Sequence, residues 1–299
     1  MNVITAKHLT KKYNTGKAVD NLTFAIEGKK ITGLIGRNGA GKTTLLKLIA
    51  GFHKQTSGEL KVFSENPFNN LKVSSNTIFV DEHMTYPESL SIAEILQFAG
   101  TFYENWDEDL AKRLFDYFGF SKKQYHSRLS KGMRSTFNMI IGLAARCPLT
   151  ILDEPTSGMD SSVRKDFYRA LLKDYIEFPR AIILSSHLVN EVEDILEDIM
   201  LMKEGEIRLH KSISDIKEFA IGLQGNRETI NQFTRHTEVL HESSIGNSAY
   251  VVIEKNINQS VLQNMKKAGI EVSSVATEDL CVYLTSKTKG GIDDVYNRG

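Results

Sequence analysis

Hydrophobic and polar positions change period several times along the 299-residue chain, and each change marks an element. Residues 3–9 and 22–26 alternate like short strands. Residues 31–35 form a continuous apolar run of the kind buried on both faces, and residues 44–49 behind it have helical character. Gly51 and Gly58 punctuate a return to strand near residues 60–63, and residues 78–80 read as a further short buried strand. From Ser91 to about Phe120 the period lengthens. Ile92, Ile95, Leu96, Ala99 and Phe102 share one helix face, while Leu110, Leu114, Tyr117 and Phe118 suggest a second helix. Helical residues continue from Gly132 to Arg146. Strand–helix alternation then resumes through residues 149–152 and 181–184, which implies a mostly parallel sheet covered by helices on both faces. Residues 200–202 and 206–209, split by Gly205, read as a closing hairpin.

The pattern changes again near residue 219. Strands over 219–223, 237–240, 249–253 and 270–275 and helices over 227–233 and 260–267 give the order β-α-β-β-α-β. That order predicts a small α+β domain of ferredoxin-like type over residues 219–286, with a last helix over 278–284 packed against it. The polar tail 287–299, which holds Gly290 and Gly291, is expected to be flexible.

Composition narrows the function class only slightly. Thirty-seven basic and 37 acidic residues cancel, so overall charge gives no support to a membrane-surface role, and no nucleic-acid partner is expected. Cys147 and Cys281 lie too far apart for metal-ligand spacing and read as small buried residues. The N-terminus has no signal-peptide pattern, and no window reaches 18 apolar residues. A cytoplasmic protein is expected, one that works at a membrane only if a partner supplies the spanning helices.

Chemistry enters between the buried run 31–35 and the helix that follows. Gly36-Arg37-Asn38-Gly39-Ala40-Gly41-Lys42-Thr43-Thr44 fits the phosphate-loop pattern G-x-x-x-x-G-K-[ST], in the strand–loop–helix context the pattern needs. Glycines let backbone N–H groups converge on phosphate oxygens, and the helix N-terminus adds its positive dipole end. Lys42 would reach the β- and γ-phosphates, and the Thr43 hydroxyl would ligate Mg²⁺. A second buried strand, residues 149–152, ends in Asp153 and Glu154. Such a pair suits metal-assisted phosphoryl transfer, Asp153 holding the metal and Glu154 deprotonating the attacking water.

Leu129-Ser130-Lys131-Gly132-Met133-Arg134 makes a family recognisable. It resembles the signature motif of ATP-binding cassette (ABC) ATPases, with Lys131 and Met133 where the commonest form, L-S-G-G-Q, has glycine and glutamine. It lies 88 residues after Lys42 and 23 before Asp153. Ser130 also reads as the N-cap of a helix. Pro155-Thr156-Ser157-Gly158-Met159-Asp160 resembles the D-loop, where Asp160 would touch an opposing subunit and also cap the next helix. The resemblance makes His187, 34 residues after Asp153, the switch histidine that bonds the γ-phosphate and positions the base. It makes Tyr13 the aromatic that stacks on adenine. Glu82 takes the position of a glutamine that senses Mg²⁺ and relays nucleotide state to the membrane subunit. A carboxylate there can still bind the metal, but it donates no hydrogen bond unless protonated.

The resemblance covers about residues 2–215 and implies an α/β fold, a P-loop NTPase of ABC type. Its mostly parallel sheet would carry an antiparallel β subdomain and a helical subdomain at about residues 84–147. The glycine variant, short helical subdomain and C-terminal appendix are similar to those of ABC-2-type bacterial exporters of antibiotics or amphipathic peptides. Such resemblance implies ATP and Mg²⁺ as cofactors. It also implies a homodimer or heterodimer with a second ABC ATPase, and peripheral attachment at the inner face of the membrane through a polytopic permease. Ser130, Lys131 and Gly132 would then act in trans. Residues 84–106, with Met84, Tyr86, Phe98, Phe102, Tyr103 and Trp106, would form the groove for the permease or the core of the helical subdomain. A soluble ABC ATPase uncoupled from transport and a nucleotide-sensing module are the alternatives. The single cassette argues against the ribosome-acting type, and the 88-residue spacing leaves no room for the coiled-coil insertion of the DNA-repair type.

Overall fold

The computed structural model describes residues 2–14 and 16–286; the tail expected to be flexible, 287–299, lies outside the described residues. Among the described residues, those up to 187 together with 191–210 form one compact unit, and 188–190 with 211–286 form a second.

The first unit holds two sheets. In the smaller, β1 (Asn2–Tyr13) lies between β2 (Gly16–Glu27) and β4 (Ser57–Val62), antiparallel to both. These strands outrun the predicted ones because their outer ends are polar and exposed, where periodicity gives no signal. The larger sheet has the order β5-β6-β7-β3-β8-β9, comprising β3 (Ile31–Ile35), β5 (Thr77–Val80), β6 (Leu149–Asp153), β7 (Ala181–Ser186), β8 (Asp198–Lys203) and β9 (Glu206–Ser212). Pairings from β5 through β8 are parallel. β3, β6 and β7 are buried along their whole length, as continuous apolar runs require. Glu204 and Gly205, both at positive φ, form the two-residue turn into β9.

Helix α1 (Lys42–Ile49) packs between the sheets, burying Leu45, Leu46, Leu48 and Ile49. A short helix, α2 (Leu71–Ser75), was not anticipated, since five residues are too few to show a period. In α3 (Ile92–Phe102) a capping box from Ser91 and Glu94 fixes the start. Ile92, Ile95, Leu96 and Ala99 are buried there, but Phe102, expected on that face, is 78% exposed. In α4 (Glu108–Tyr117) the buried face carries Ala111 and Phe115, so Tyr117 points outward and its hydroxyl donates to Asp166. α5 (Lys131–Ala144) is buried along almost all its length and packs on α4, β5 and α6 (Ser161–Glu177).

In the second unit α7 (Ile213–Lys217) leads into an antiparallel sheet of order β11-β12-β10-β13. Its strands are β10 (Ala220–Asn226), β11 (Val239–Ile245), β12 (Ser248–Glu254) and β13 (Glu271–Ser274). Ile230 of α8 (Arg227–Thr234) and Met265 of α9 (Gln259–Lys267) join Leu223, Val251 and Ile253 in one core. α10 (Thr277–Thr285) packs on β11.

Candidate functional site

The carboxyl ends of β3, β6 and β7 lie side by side, because β7 pairs with both of the others. In parallel α/β sheets that edge is where ligands bind. The loop after β3 runs from Gly36 to Gly41 and enters α1 through Gly41, whose φ of 102° lies in the left-handed region. A Cβ at Gly41 would stand 2.1 Å from the Ala18 carbonyl oxygen, so only glycine fits. No side chain caps α1. Its first N–H groups therefore remain available to an anionic ligand, with the helix dipole behind them.

A cavity of about 480 Å³ opens over this loop, lined by Tyr13, Ala18, Arg37, Asn38, Gly39, Ala40, Gly41, Lys42, Thr43, Thr44 and Glu154. Lys42 is only 6% exposed, and its ammonium donates to the Gly36 carbonyl at 2.7 Å. It also lies 3.2 Å from Glu154 Oε1, an ion pair rather than an aligned hydrogen bond. Tyr13, at the end of β1, is 39% exposed, meets His53 edge-on, and has the Lys11 ammonium 5.1 Å from its ring centre.

Glu154 follows the last residue of β6 with φ of 47°, a left-handed backbone conformation that costs a non-glycine residue energy. Its N–H donates to Ser185 Oγ at 2.8 Å, and the Ser185 hydroxyl donates to Asp153 Oδ1 at 2.6 Å. Ser185 thus fixes both acids. Sequence reading missed it, although a serine ending the apolar strand before His187 was a visible signal. His187 Nδ1 lies 2.8 Å from Glu154 Oε2, so this nitrogen carries the proton and donates when the carboxylate is ionised.

The other expected residues gather elsewhere in the unit. Ser130 caps α5, accepting from the Met133 N–H at 3.3 Å, and its own O–H remains free to donate. Asp160 caps α6 through the N–H groups of Ser162 and Val163. Ser130, Gly132 and Asp160 line a separate cavity of about 230 Å³ with Phe118, Phe120 and Met159. Glu82 lines neither cavity. Its carboxylate accepts from Lys131 Nζ at 2.6 Å and from Ser157 Oγ at 3.2 Å. The Lys131 bond is the main influence holding the Glu82 carboxyl below the usual range.

Comparison with known proteins agrees with this geometry. A family model described as ABC transporter matches residues 19–157. The bacitracin transport ATP-binding protein BcrA of Bacillus licheniformis is 30% identical over 208 residues, which are 69% of this chain and 68% of that protein. The chain belongs to the ABC transporter ATPase family. The ABC transporter ATP-binding protein YtrB of Bacillus subtilis is 25% identical over 222 residues, 74% of this chain and 76% of that protein. Among solved structures, a dimeric, post-hydrolysis ATP-binding cassette bound to ADP and Pi has the same fold. The TM-score is 0.62 at 20% identity, covering 70% of this chain and 98% of that one. This ABC ATPase binds and hydrolyses ATP, and the hydrolysis energises transport. Among the described residues no helix is long and apolar enough to cross a membrane.

Proposed function

We propose that this ABC ATPase works in a head-to-tail pair that closes around two ATP molecules and drives a separate polytopic permease of a bacterial exporter. One observation supports the pairing most: Lys42 and Glu154 share the loop cavity, whereas Ser130, Gly132 and Asp160 open onto another. The signature turn would therefore meet a γ-phosphate held by a second chain, a homologous or an identical ATPase.

Within each pocket the loop N–H groups and Lys42 would hold the β- and γ-phosphates, and Tyr13 would stack on adenine. Thr43 and Asp153 would supply hard oxygens of the kind Mg²⁺ takes, and the ion would neutralise developing phosphate charge; Glu82, expected as a further oxygen, is engaged by Lys131 and Ser157 instead. Glu154 would accept the proton of the attacking water. His187, half-exposed and anchored to Glu154 through Nδ1, would turn Nε2 toward the γ-phosphate.

The exporter reading rests on the likeness to BcrA and favours antimicrobial or amphipathic peptides or drugs as cargo. Residues 1–215 would be the nucleotide-binding domain and 219–286 a ferredoxin-like domain, for which the sheet order β11-β12-β10-β13 is the support. An apolar cavity of about 610 Å³, lined by Met84, Tyr86, Leu90, Phe98, Phe102 and Tyr103 among others, would receive a helix of the permease. Exposed Phe98 and Phe102 at its rim favour that role over a purely core one. The enzyme would thereby sit at the inner face of the cell membrane. Phe102→Asp should leave ATP turnover of the isolated subunit and its stability nearly unchanged, within about 0.5 kcal/mol, because the side chain is exposed. It should abolish co-purification with a polytopic membrane protein from native membranes. Undiminished co-purification would remove this groove from the proposal.

A further inference from the structure

Two departures from the commonest family pattern, Glu82 and Lys131, meet in space. The Lys131 ammonium is 2.6 Å from Glu82 Oε2, although 49 positions separate the two residues along the chain. The Lys131 stem lies against Gly158, and Ser157 beside it donates to the same Glu82 oxygen. The Ser157 carbonyl in turn accepts from the Ser135 hydroxyl of α5 at 2.8 Å. At Gly132 a Cβ would stand 2.4 Å from the Gly158 carbonyl oxygen, so the signature turn and the D-loop are already in close backbone contact. Lys131 is the first residue of α5, whose first turn has no acidic side chain of its own. A cation there opposes the helix dipole, and the carboxylate of Glu82 offsets it from outside the helix. Asn138, two turns further along the same face of α5, donates to the Asp81 carbonyl at 3.3 Å and strengthens the same seam.

We propose that Glu82 and Lys131 are a positioning pair: the carboxylate after β5 holds the signature turn and the D-loop in one orientation, ready for the phosphate of the opposing subunit. In this chain the acid at the glutamine position then acts on the signature turn, and magnesium retention falls to Thr43 and Asp153. The reading rests on the ATPase pair described above and assigns a task to two residues within it.

The test uses the full chain with two readouts. In nucleotide-free protein, amide exchange across residues 130–136 should rise in Glu82→Gln, which leaves the Lys131 cation unoffset at the helix start, and by less in Lys131→Gln. The double variant should rise no further, and the charge swap Glu82→Lys with Lys131→Glu should restore slow exchange. Titrating Mg²⁺ during ATP hydrolysis, Glu82→Gln should lower kcat about tenfold, as a misplaced reacting group does, with the half-activating Mg²⁺ concentration unchanged. Unchanged exchange in both single variants would overturn the pair. So would a higher Mg²⁺ requirement in Glu82→Gln that Lys131→Gln does not share, since Glu82 would then serve the metal. Wild-type protein without Mg²⁺-dependent turnover, but with the expected exchange pattern, would refute the ATPase reading and leave the pair standing.

Discussion

Replacing Glu154 by glutamine tests the site most directly. The substitution preserves shape and volume, so the left-handed turn after β6 and the Ser185 bond to the Glu154 N–H persist. What changes is charge. The bond that His187 Nδ1 donates at 2.8 Å loses its anionic acceptor and weakens, and Oε1 loses the ion pair with Lys42 at 3.2 Å. Lys42 keeps the Gly36 carbonyl at 2.7 Å, so the phosphate loop holds its form. An amide cannot accept the proton of the attacking water, and loss of a general base lowers turnover by about 10²- to 10⁴-fold. At 1.36 kcal/mol per decade this corresponds to about 3–5 kcal/mol on the barrier. ATP affinity, measured with a fluorescent analogue, should stay equal or tighten, because an anion beside the γ-phosphate has been removed. Size-exclusion chromatography with ATP should show an accumulating closed dimer. Turnover within about fivefold of wild type, measured as phosphate release, would refute Glu154 as the base, since a base supplies at least about 10²-fold.

Two further outcomes follow from packing and burial. Asp174 is 2% exposed and receives Arg146 Nη2 at 2.7 Å and Arg180 Nη1 at 2.8 Å; Arg146 also holds Asp107 at 3.0 Å, so Asp174→Asn leaves chiefly the buried Arg180 guanidinium short of an anion. Urea denaturation should show a loss of about 3–5 kcal/mol, and a loss under about 1 kcal/mol would contradict the pairing. Burial pushes the Cys147 thiol up to about 12, so the native protein at pH 8 holds about 10⁻⁴ of it as thiolate. Iodoacetamide, followed by mass spectrometry of the Cys147 peptide, should label it only in denaturant. The slow native reaction should rise about a hundredfold between pH 8 and pH 10 as thiolate accumulates, and fast labelling at pH 8 would disprove the burial.

Much of this molecule was legible in its residue order. The phosphate loop, the acids at the end of β6 and the histidine after β7 stand at the ends of continuous apolar runs, a pattern visible without coordinates. Ser130 and Asp160 were readable as helix caps, because a cap is a contact over two or three residues. Phe102 shares the spacing of the buried stripe of α3 yet is 78% exposed. A period of 3.6 assigns a stripe but cannot say how far along the helix its cover extends.

The sequence alone determined the backbone demands: a glycine where φ is positive at position 41, buried strands from unbroken apolar runs, and caps at α5 and α6. Each is settled by residues within a few positions. Tertiary structure decided which charges meet. Ser185 reaches Asp153 and Glu154 because β6 and β7 run parallel in register, and Glu82 finds Lys131 and Ser157 because β5, α5 and the loop after β6 converge. A carboxylate chooses among partners by distance, and distance across 49 or 75 residues exists only once the sheet has formed.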